Sequence, residues 1–146
     1  MSIETRRPLE VSLEFPVRTY DIDFAGVVSN IVYIRWLEDL RLTVLDRHYP
    51  LEKLLADRLA PTLVETHIRY RHPITIADKA RGTMWVSRIS RLKFTFEAEI
   101  LVNGQVAVTA EQVGCLIDLS NGRPAPMPEE LRQKFQESRR DPYEPS

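Results

Sequence analysis

A long apolar run directly after an acidic loop limits most strongly what this chain can fold into. Residues 31–45 are apolar almost throughout, and only a narrow polar stripe interrupts them. A helix that is apolar on nearly all sides is buried on most of them. In a chain of 146 residues, we expect a curved sheet to wrap around this helix.

The predicted helix carries several local signals. Ser29 or Asn30 is placed to cap its N-terminus. Glu38 and Arg41 are three residues apart and are expected to pair on one face. His48 lies near the C-terminal end, where a positive charge is favoured.

The other segments read as strands and short helices. Apolar and polar residues alternate over 11–17, which predicts a half-buried strand in which Pro16 indicates an edge or a bulge. Pro50 is expected to open a second helix over 51–58, and Pro61 to close it. The dipeptide Asn103-Gly104 predicts a two-residue hairpin turn. Four more strands are predicted over 63–72, 79–89, 92–102 and 105–118, and a last helix from Pro128 to Phe135.

This order of elements predicts an α+β fold, in which a five-stranded antiparallel sheet wraps around a long central helix. We expect a single domain over residues 1–137, with residues 1–9 as a loose arm and residues 138–146 as a frayed tail.

Composition removes several classes of function. A net charge of −1 gives the whole chain no electrostatic attraction to nucleic acid or to an anionic membrane. Cys115 is the only cysteine, so it is expected to be a small buried apolar residue. The three histidines, His48, His67 and His72, do not have the spacing of a metal pair on a helix, and we expect no metal and no cofactor. Without a signal peptide or a membrane span in the sequence, we expect a cytoplasmic protein.

The acidic loop is the best candidate for a chemical site. Asp21 and Asp23 stand at the end of the first strand, and Gly26 follows in a tight turn. Aspartates often serve only to shape such turns, and this is the role we expect for Asp21. A carboxylate beside the free N–H groups of a helix N-terminus can do chemistry, and this is the role we expect for Asp23.

The segment from Asp21 to Val28, with Tyr33 and the Glu38–Arg41 pair on the helix, resembles the hotdog-fold acyl-CoA thioesterases. The nearest group is the 4-hydroxybenzoyl-CoA thioesterase family, and the resemblance covers about residues 11–135. A second matching segment is Tyr70-Arg71-His72-Pro73 followed by Asp78.

The resemblance implies a hotdog fold, a homodimer or homotetramer, and an active site between two subunits that hydrolyses acyl-CoA. Asp23 matches the catalytic aspartate, which acts as nucleophile or as general base on water. Asn30 matches the position whose backbone N–H polarises the thioester carbonyl. Gly26, Val27 and Tyr33 are expected to contact substrate.

A basic group at a predicted turn has two interpretations. Arg88, Arg91 and Lys93 flank the turn between two strands, where basic residues are common on a solvated surface. The functional alternative is that they bind the phosphates of coenzyme A. Trp36, Tyr33 and Phe24 are expected in the core, where one could line an acyl tunnel.

Other functions on the same fold stay open. Many bacterial relatives carry histidine where this chain has Asn30, while some plant and acyl-carrier-protein relatives carry asparagine. Acyl-carrier protein is therefore an alternative carrier. A non-catalytic acyl-CoA or acyl-lipid binding module is a second alternative, and it would not need Asp23. A hydratase or dehydratase is less favoured, because no histidine lies between Asp23 and Arg47.

Overall fold

One antiparallel sheet packed on one long helix makes up most of the computed structural model, which describes residues 7–139. The strand order is β1-β3-β4-β5-β2, so the sheet has two edges, at β1 and at β2. The α+β prediction is confirmed. The strands are β1 (Val11–Pro16), β2 (Leu59–Tyr70), β3 (Lys79–Ile89), β4 (Phe94–Val102), β5 (Gln105–Asp118) and β6 (Arg123–Ala125); the helices are α1 (Asn30–His48), α2 (Leu51–Ala56) and α3 (Glu129–Arg139).

The core lies between α1 and one face of the sheet. Leu37 and Leu40 of α1 are fully buried, as are Met84 and Ile100 on the strands beneath them. The helix approaches β3 closely at Gly82, where an added Cβ would lie 2.5 Å from the Phe15 ring and 3.0 Å from Leu40. This contact holds the middle of α1 directly over the sheet.

Residues 7–139 leave one face of α1 uncovered. Ile31, Ile34 and Leu42 are all about half exposed, so the prediction of burial on most sides is wrong within the described part of the chain. The sheet is open at its β2 edge and does not reach around this face. Ser29 occupies the N-cap position, but its side chain makes no capping hydrogen bond.

The segment after α1 differs from its prediction. Helix α2 ends at Ala56, because Arg58 has a positive φ of 59° that no helix can continue through. Strand β2 then begins at Leu59, so Pro61 lies inside a strand and does not close the helix. An edge strand accepts this proline, because its missing N–H is not needed on the open side.

The hairpin turn and the C-terminal part follow the prediction except for one additional strand and a longer last helix. The hairpin at Asn103-Gly104 is confirmed, with φ values of 53° and 76°. Strand β6, which the sequence did not predict, pairs with the last residues of β5. Helix α3 continues past Phe135 to Arg139, four residues beyond its predicted end.

The predicted loose arm and frayed tail lie partly outside the described residues, at 1–6 and 140–146. The described parts are held in place: the N–H of Leu9 donates to Ser138 Oγ at 2.9 Å, and Leu9 is buried. Between residues 7 and 139, no helix is long and apolar enough to cross a bilayer. The same part of the chain contains no group of three or more acidic, histidine or cysteine side chains that could hold a metal ion.

Candidate active site

The acidic loop before α1 is a small hairpin closed by its own backbone. The N–H of Asp23 donates to Val27 O, and the N–H of Ser29 donates to Asp21 O, both at 2.9 Å. Gly26 makes the turn with a φ of 80°, a conformation that residues with a side chain rarely adopt. The loop therefore holds Asp23 opposite Val27, just before the helix begins.

The two aspartates of the loop have different surroundings. Asp21 is buried, and its Oδ2 accepts a hydrogen bond from the N–H of Arg18 at 2.9 Å, which fits a loop-shaping role. Asp23 is half-buried, and its Oδ1 accepts from the N–H groups of Ala25 at 2.9 Å and Val27 at 3.4 Å. Its other oxygen, Oδ2, has no hydrogen-bond partner among residues 7–139. Asp23 thus stabilises its turn through Oδ1, while Oδ2 is free to accept a hydrogen bond or a proton.

The first turn of α1 opens into a shallow pocket of about 250 Å³. Three of the predicted site residues, Val27, Asn30 and Tyr33, line it. Asn30 is the first residue of the helix, and its backbone N–H has no acceptor within residues 7–139. The pocket therefore offers a free donor at the positive end of a helix dipole. Tyr70, Arg71 and His72 form its opposite wall.

The wall formed by residues 70–72 was not predicted as part of a site. The sequence signal was the Tyr70-Arg71-His72-Pro73 match, but nothing in the local pattern places the end of β2 beside the start of α1. The structure does so through Tyr33, whose ring centroid lies 5.5 Å from that of Tyr70. Burial, with Tyr70 nearby, raises the pKa of Tyr33 to about 12. The Tyr33 hydroxyl consequently stays protonated at neutral pH.

The three aromatic residues expected in the core are not all there. Trp36 is buried and stacks on Phe15 at 4.9 Å, and Tyr33 meets its edge at 5.4 Å. Phe24 is fully exposed, so its prediction is wrong. It stands in the tight turn of the acidic loop that the N–H of Gly26 closes by donating to Asp23 O at 3.0 Å.

Arg41 does not pair with Glu38 as predicted. Its Nη1 donates to Oε1 of Gln112 on β5 at 2.7 Å, and Gln112 in turn donates to Thr66 Oγ1 on β2 at 3.3 Å. Gln112 is only 1% exposed. Burial lowers the pKa of Arg41, and Glu38 partly offsets this effect. The contact satisfies the buried amide oxygen of Gln112, which would otherwise lack a hydrogen-bond donor.

The basic group lies at the other end of the molecule from Asp23. Arg88 is near the end of β3, and Arg91 and Lys93 belong to the turn that follows; all three are exposed. The start of β3, at Lys79, pairs with Pro16, close to the acidic loop. Nine residues of strand separate Lys79 from Arg88, a distance of about 30 Å. One chain therefore does not bring the basic group and Asp23 together.

A second, larger cavity lies under the C-terminal half of α1. It has a volume of about 350 Å³ and walls that are mostly apolar. No residue of the predicted site lines it. Its lining comes from all three helices and from β2, β3, β4 and β5, so no local sequence pattern indicated it.

Comparison with known proteins assigns the family. Residues 17–135 match the thioesterase-like superfamily. The chain belongs to this superfamily. The predicted hotdog thioesterase family and enzyme class are thereby confirmed, while the roles of Asp23 and Asn30 stay predictions.

Individual relatives agree with this assignment. The chain is 25% identical to the long-chain acyl-CoA thioesterase FadM of Escherichia coli strain K12, over 85% of this chain and 96% of the relative. A solved thioesterase from Thermus thermophilus, complexed with coenzyme A and zinc, superimposes with a TM-score of 0.77 at 26% identity, covering 94% and 97% of the two chains. The DHNA-CoA thioesterase of Staphylococcus aureus has the same fold, with a TM-score of 0.80 at 19% identity over 88% and 89% of the chains.

Proposed function

We propose that this protein hydrolyses acyl-CoA to a free carboxylic acid and coenzyme A. Support comes from membership of the thioesterase-like superfamily and from a carboxylate held in the loop that leads into a helix with a free N-terminal donor. The similar long-chain acyl-CoA thioesterase and the thioesterase solved with coenzyme A favour this carrier over acyl-carrier protein.

Two observations carry the proposal: Asp23 Oδ2 has no hydrogen-bond partner in the loop that leads into α1, and the backbone N–H of Asn30, the first residue of α1, has no acceptor, both among residues 7–139. As general base, Asp23 takes a proton from water while the water oxygen attacks the thioester carbonyl carbon. The carbon–sulfur bond then breaks, and the coenzyme A thiolate leaves and takes up the proton. As nucleophile, Asp23 attacks the carbonyl carbon directly, the carbon–sulfur bond breaks, and the coenzyme A thiolate leaves. Water then hydrolyses the acyl–aspartyl anhydride, which releases the free acid, restores the Asp23 carboxylate and supplies the proton that the thiolate takes up.

Asn30 acts through its backbone in this proposal. Its N–H, reinforced by the helix dipole, donates to the carbonyl oxygen as negative charge develops there. Such a donor is worth about 3 kcal/mol in the transition state. Gly26 and Val27 bring the loop backbone to the thioester, and the protonated Tyr33 lines the pocket floor beside it.

The assembly we propose is a homodimer that pairs the free β2 edges of two copies. Between Val64 and Tyr70 this edge is exposed except at Ile68, and unpaired strand edges favour association. Two antiparallel copies about a two-fold axis set the Tyr70 end of one β2 beside the Leu59 end of the other. Light scattering should give twice the chain mass of 17.0 kDa, or four times if dimers pair.

The two-fold axis also gives the basic group a role in carrier binding. Arg88, Arg91 and Lys93 lie at the Leu59 end of the sheet, because β3 and β2 run in opposite senses relative to the acidic loop. In the dimer, this end of one subunit faces the Asp23 end of the other. The basic group can then bind coenzyme A phosphates while the thioester reaches the partner's Asp23.

The test is steady-state hydrolysis of acyl-CoA by wild type, Asp23→Asn and Asp21→Asn. Asp23→Asn keeps the shape of the side chain but loses the charge, so kcat should fall by at least about 100-fold. Asp21→Asn is the matched control: it makes the same change in the same loop, and its amide oxygen can still accept from Arg18. Its kcat should fall far less.

Melting temperature and binding of a non-hydrolysable acyl-CoA thioether control for folding and affinity. Near-normal turnover by well-folded Asp23→Asn would remove Asp23 from the mechanism. Absence of hydrolysis by the wild type, with tight thioether binding, would favour the acyl-CoA binding module.

A further inference from the structure

Tyr33 carries a hydroxyl group for which the described part of the chain provides no partner. The residue is only 2% exposed, and its Oη makes no hydrogen bond to any group within residues 7–139. Buried tyrosines normally find a hydrogen-bond partner for this group. Phenylalanine would fill the same space without an unpaired polar atom, so packing alone does not account for the hydroxyl.

The hydroxyl opens into the pocket at the start of α1. Tyr33 lines this pocket together with Val27, Asn30 and Tyr70. Among residues 7–139, the only fully enclosed side-chain nitrogen or oxygen without a partner is Nε2 of His48. The unpaired Oη of Tyr33 is therefore not enclosed, and the pocket is the space that it reaches. Its partner has to come from what enters the pocket, which is water or a ligand.

The ring that carries this hydroxyl is fixed from two sides. Trp36 lies 5.4 Å away between ring centroids and nearly at a right angle, and Tyr70 lies 5.5 Å away at 56°. Trp36 is itself stacked on Phe15 at 4.9 Å. A donor that is held in this way is pre-organised, because it loses little freedom when a ligand accepts its hydrogen bond.

Tyr33 and Asn30 lie on the same face of α1. They are three residues apart, which places their side chains one above the other with about 4.5 Å between them along the helix axis. Side chains on a helix also lean toward its N-terminus. The hydroxyl of Tyr33 therefore projects toward the turn in which the free N–H of Asn30 begins the helix. Both donors face the same pocket.

A single donor leaves a developing oxyanion incompletely stabilised. When water or a carboxylate attacks a thioester, the carbonyl oxygen becomes negatively charged and can accept several hydrogen bonds. The proposed mechanism so far supplies only the N–H of Asn30. Burial, with Tyr70 nearby, raises the pKa of Tyr33 to about 12. The phenol consequently keeps its proton at neutral pH and can donate it in a hydrogen bond.

We propose that the Tyr33 hydroxyl is a catalytic hydrogen-bond donor to the thioester carbonyl oxygen and forms an oxyanion hole with the backbone N–H of Asn30. The hydrogen bond strengthens as the carbonyl carbon becomes tetrahedral and its oxygen becomes negative. It weakens again when the carbon–sulfur bond breaks and the carbonyl double bond re-forms, and the proton stays on the phenol throughout. This inference rests on the proposed thioesterase function and adds a second stabilising group to it.

The first experiment measures acyl-CoA hydrolysis by Tyr33→Phe. The change keeps the ring and its contacts with Trp36 and Tyr70, and the melting temperature should not fall because the lost oxygen has no partner in the fold. Since the hydrogen bond acts mainly in the transition state, kcat should fall about 100-fold while KM changes little. Tyr49→Phe is the matched control. Tyr49 is also buried, but it follows the opposite end of α1, so this variant should keep the wild-type kcat.

A pair of inhibitors separates a catalytic donor from a packing role. A trifluoromethyl ketone analogue of acyl-CoA adds water or a carboxylate at its carbonyl carbon, which gives a tetrahedral centre with an oxygen. A thioether analogue has no carbonyl oxygen. Tyr33→Phe should weaken binding of the ketone at least about tenfold and leave binding of the thioether unchanged. Equal losses for both inhibitors would assign Tyr33 to packing.

Infrared spectroscopy detects the hydrogen bond itself. Asp23→Asn should hold acyl-CoA without rapid turnover, and a ¹³C-labelled thioester carbonyl then gives a band whose frequency falls when the oxygen accepts hydrogen bonds. Adding Tyr33→Phe should move this band to higher frequency, whereas adding Tyr49→Phe should leave it in place. An unmoved band in the Tyr33→Phe double variant with substrate bound would overturn the proposal.

The outcomes separate this inference from the proposed function. Hydrolysis by wild type, with kcat within about threefold of it in well-folded Tyr33→Phe, would retain the thioesterase and reject the second donor. If wild type binds acyl-CoA without hydrolysing it, the thioesterase fails and the infrared band of the wild-type complex decides. A shift on Tyr33→Phe would then keep the hydrogen bond as a binding contact, and no shift would reject it. Absence of acyl-CoA binding by wild type would overturn both.

Discussion

The buried contact between Arg41 and Gln112 makes a quantitative prediction about stability. Gln112→Leu keeps the approximate volume of the side chain but removes the acceptor of Arg41 and the donor to Thr66. The 2.7 Å bond to a charged group contributes about 1.5–3 kcal/mol, and the 3.3 Å neutral bond about 0.5–1 kcal/mol. Because Gln112 is 1% exposed, water cannot easily reach the site of its amide, whereas Thr66 is exposed and its hydroxyl can bond water instead. We expect a loss of about 2–4 kcal/mol.

Urea denaturation monitored by tryptophan fluorescence measures this loss, with Trp36 and Trp85 as the probes. Two further single variants serve as comparisons for the loss of unfolding free energy in Gln112→Leu. Thr66→Val removes only the weaker bond and should lower the free energy of unfolding by less than about 1.5 kcal/mol. Glu38→Gln removes the carboxylate that was predicted from the sequence to pair with Arg41. This variant should change the free energy of unfolding by no more than about 0.5 kcal/mol.

A double-mutant cycle isolates the pair. Arg41→Leu combined with Gln112→Leu removes both partners, so neither polar group is left buried alone. The double variant should be more stable than the sum of the two single losses predicts, by at least about 1 kcal/mol. Additive losses, or a larger effect of Glu38→Gln than of Gln112→Leu, would refute the assignment of Arg41 to Gln112.

The basic group and His48 give two further predictions. Changing Arg88, Arg91 and Lys93 together to alanine should raise KM for acyl-CoA and leave kcat nearly unchanged, with a weaker effect on short pantetheine thioesters that lack the nucleotide phosphates; a fall in kcat at constant KM would assign them another role. Burial, with Lys134 and Arg47 nearby, lowers the pKa of His48 below its ordinary value of 6.5, so the unfolded chain binds a proton there before the folded chain does. Stability should therefore fall as the pH drops below about 6.5, and His48→Leu should flatten this part of a plot of melting temperature against pH; equal slopes for the two proteins would contradict the shift.

Local patterns were enough to find most of the secondary structure and the acidic loop. The apolar run over residues 31–45 indicated a central helix, although one of its faces stays exposed in the described part of the chain. The Asn103-Gly104 hairpin was predictable, since few residues accept two consecutive positive φ values. Asp23 could be singled out because it lies in a short acidic segment before the helix, whereas the role expected for Asn30, the first residue of α1, came from the family resemblance. The resemblance to known thioesterases added roles that these patterns did not contain.

Boundaries were less predictable wherever a neighbouring strand changed the local preference. Pro61 reads as a stop signal in the sequence, yet β2 includes it because only one side of that strand is paired. Strand β6 has only three residues, which is too short for the alternation of apolar and polar residues to be recognised. It forms because the last residues of β5 have a free edge with which it can pair. Both depend on which strands become neighbours.

The sequence alone determined a helix-centred sheet with a carboxylate at the helix N-terminus. Tertiary structure decided which distant groups meet: Arg41 bonds Gln112, which is 71 residues away, and not Glu38 three residues away. It also separated the basic group from Asp23 and enclosed an apolar cavity between α1, α2, α3 and the sheet. Backbone propensity and apolar period act over a few residues, whereas these contacts depend on strand order and register across the whole chain.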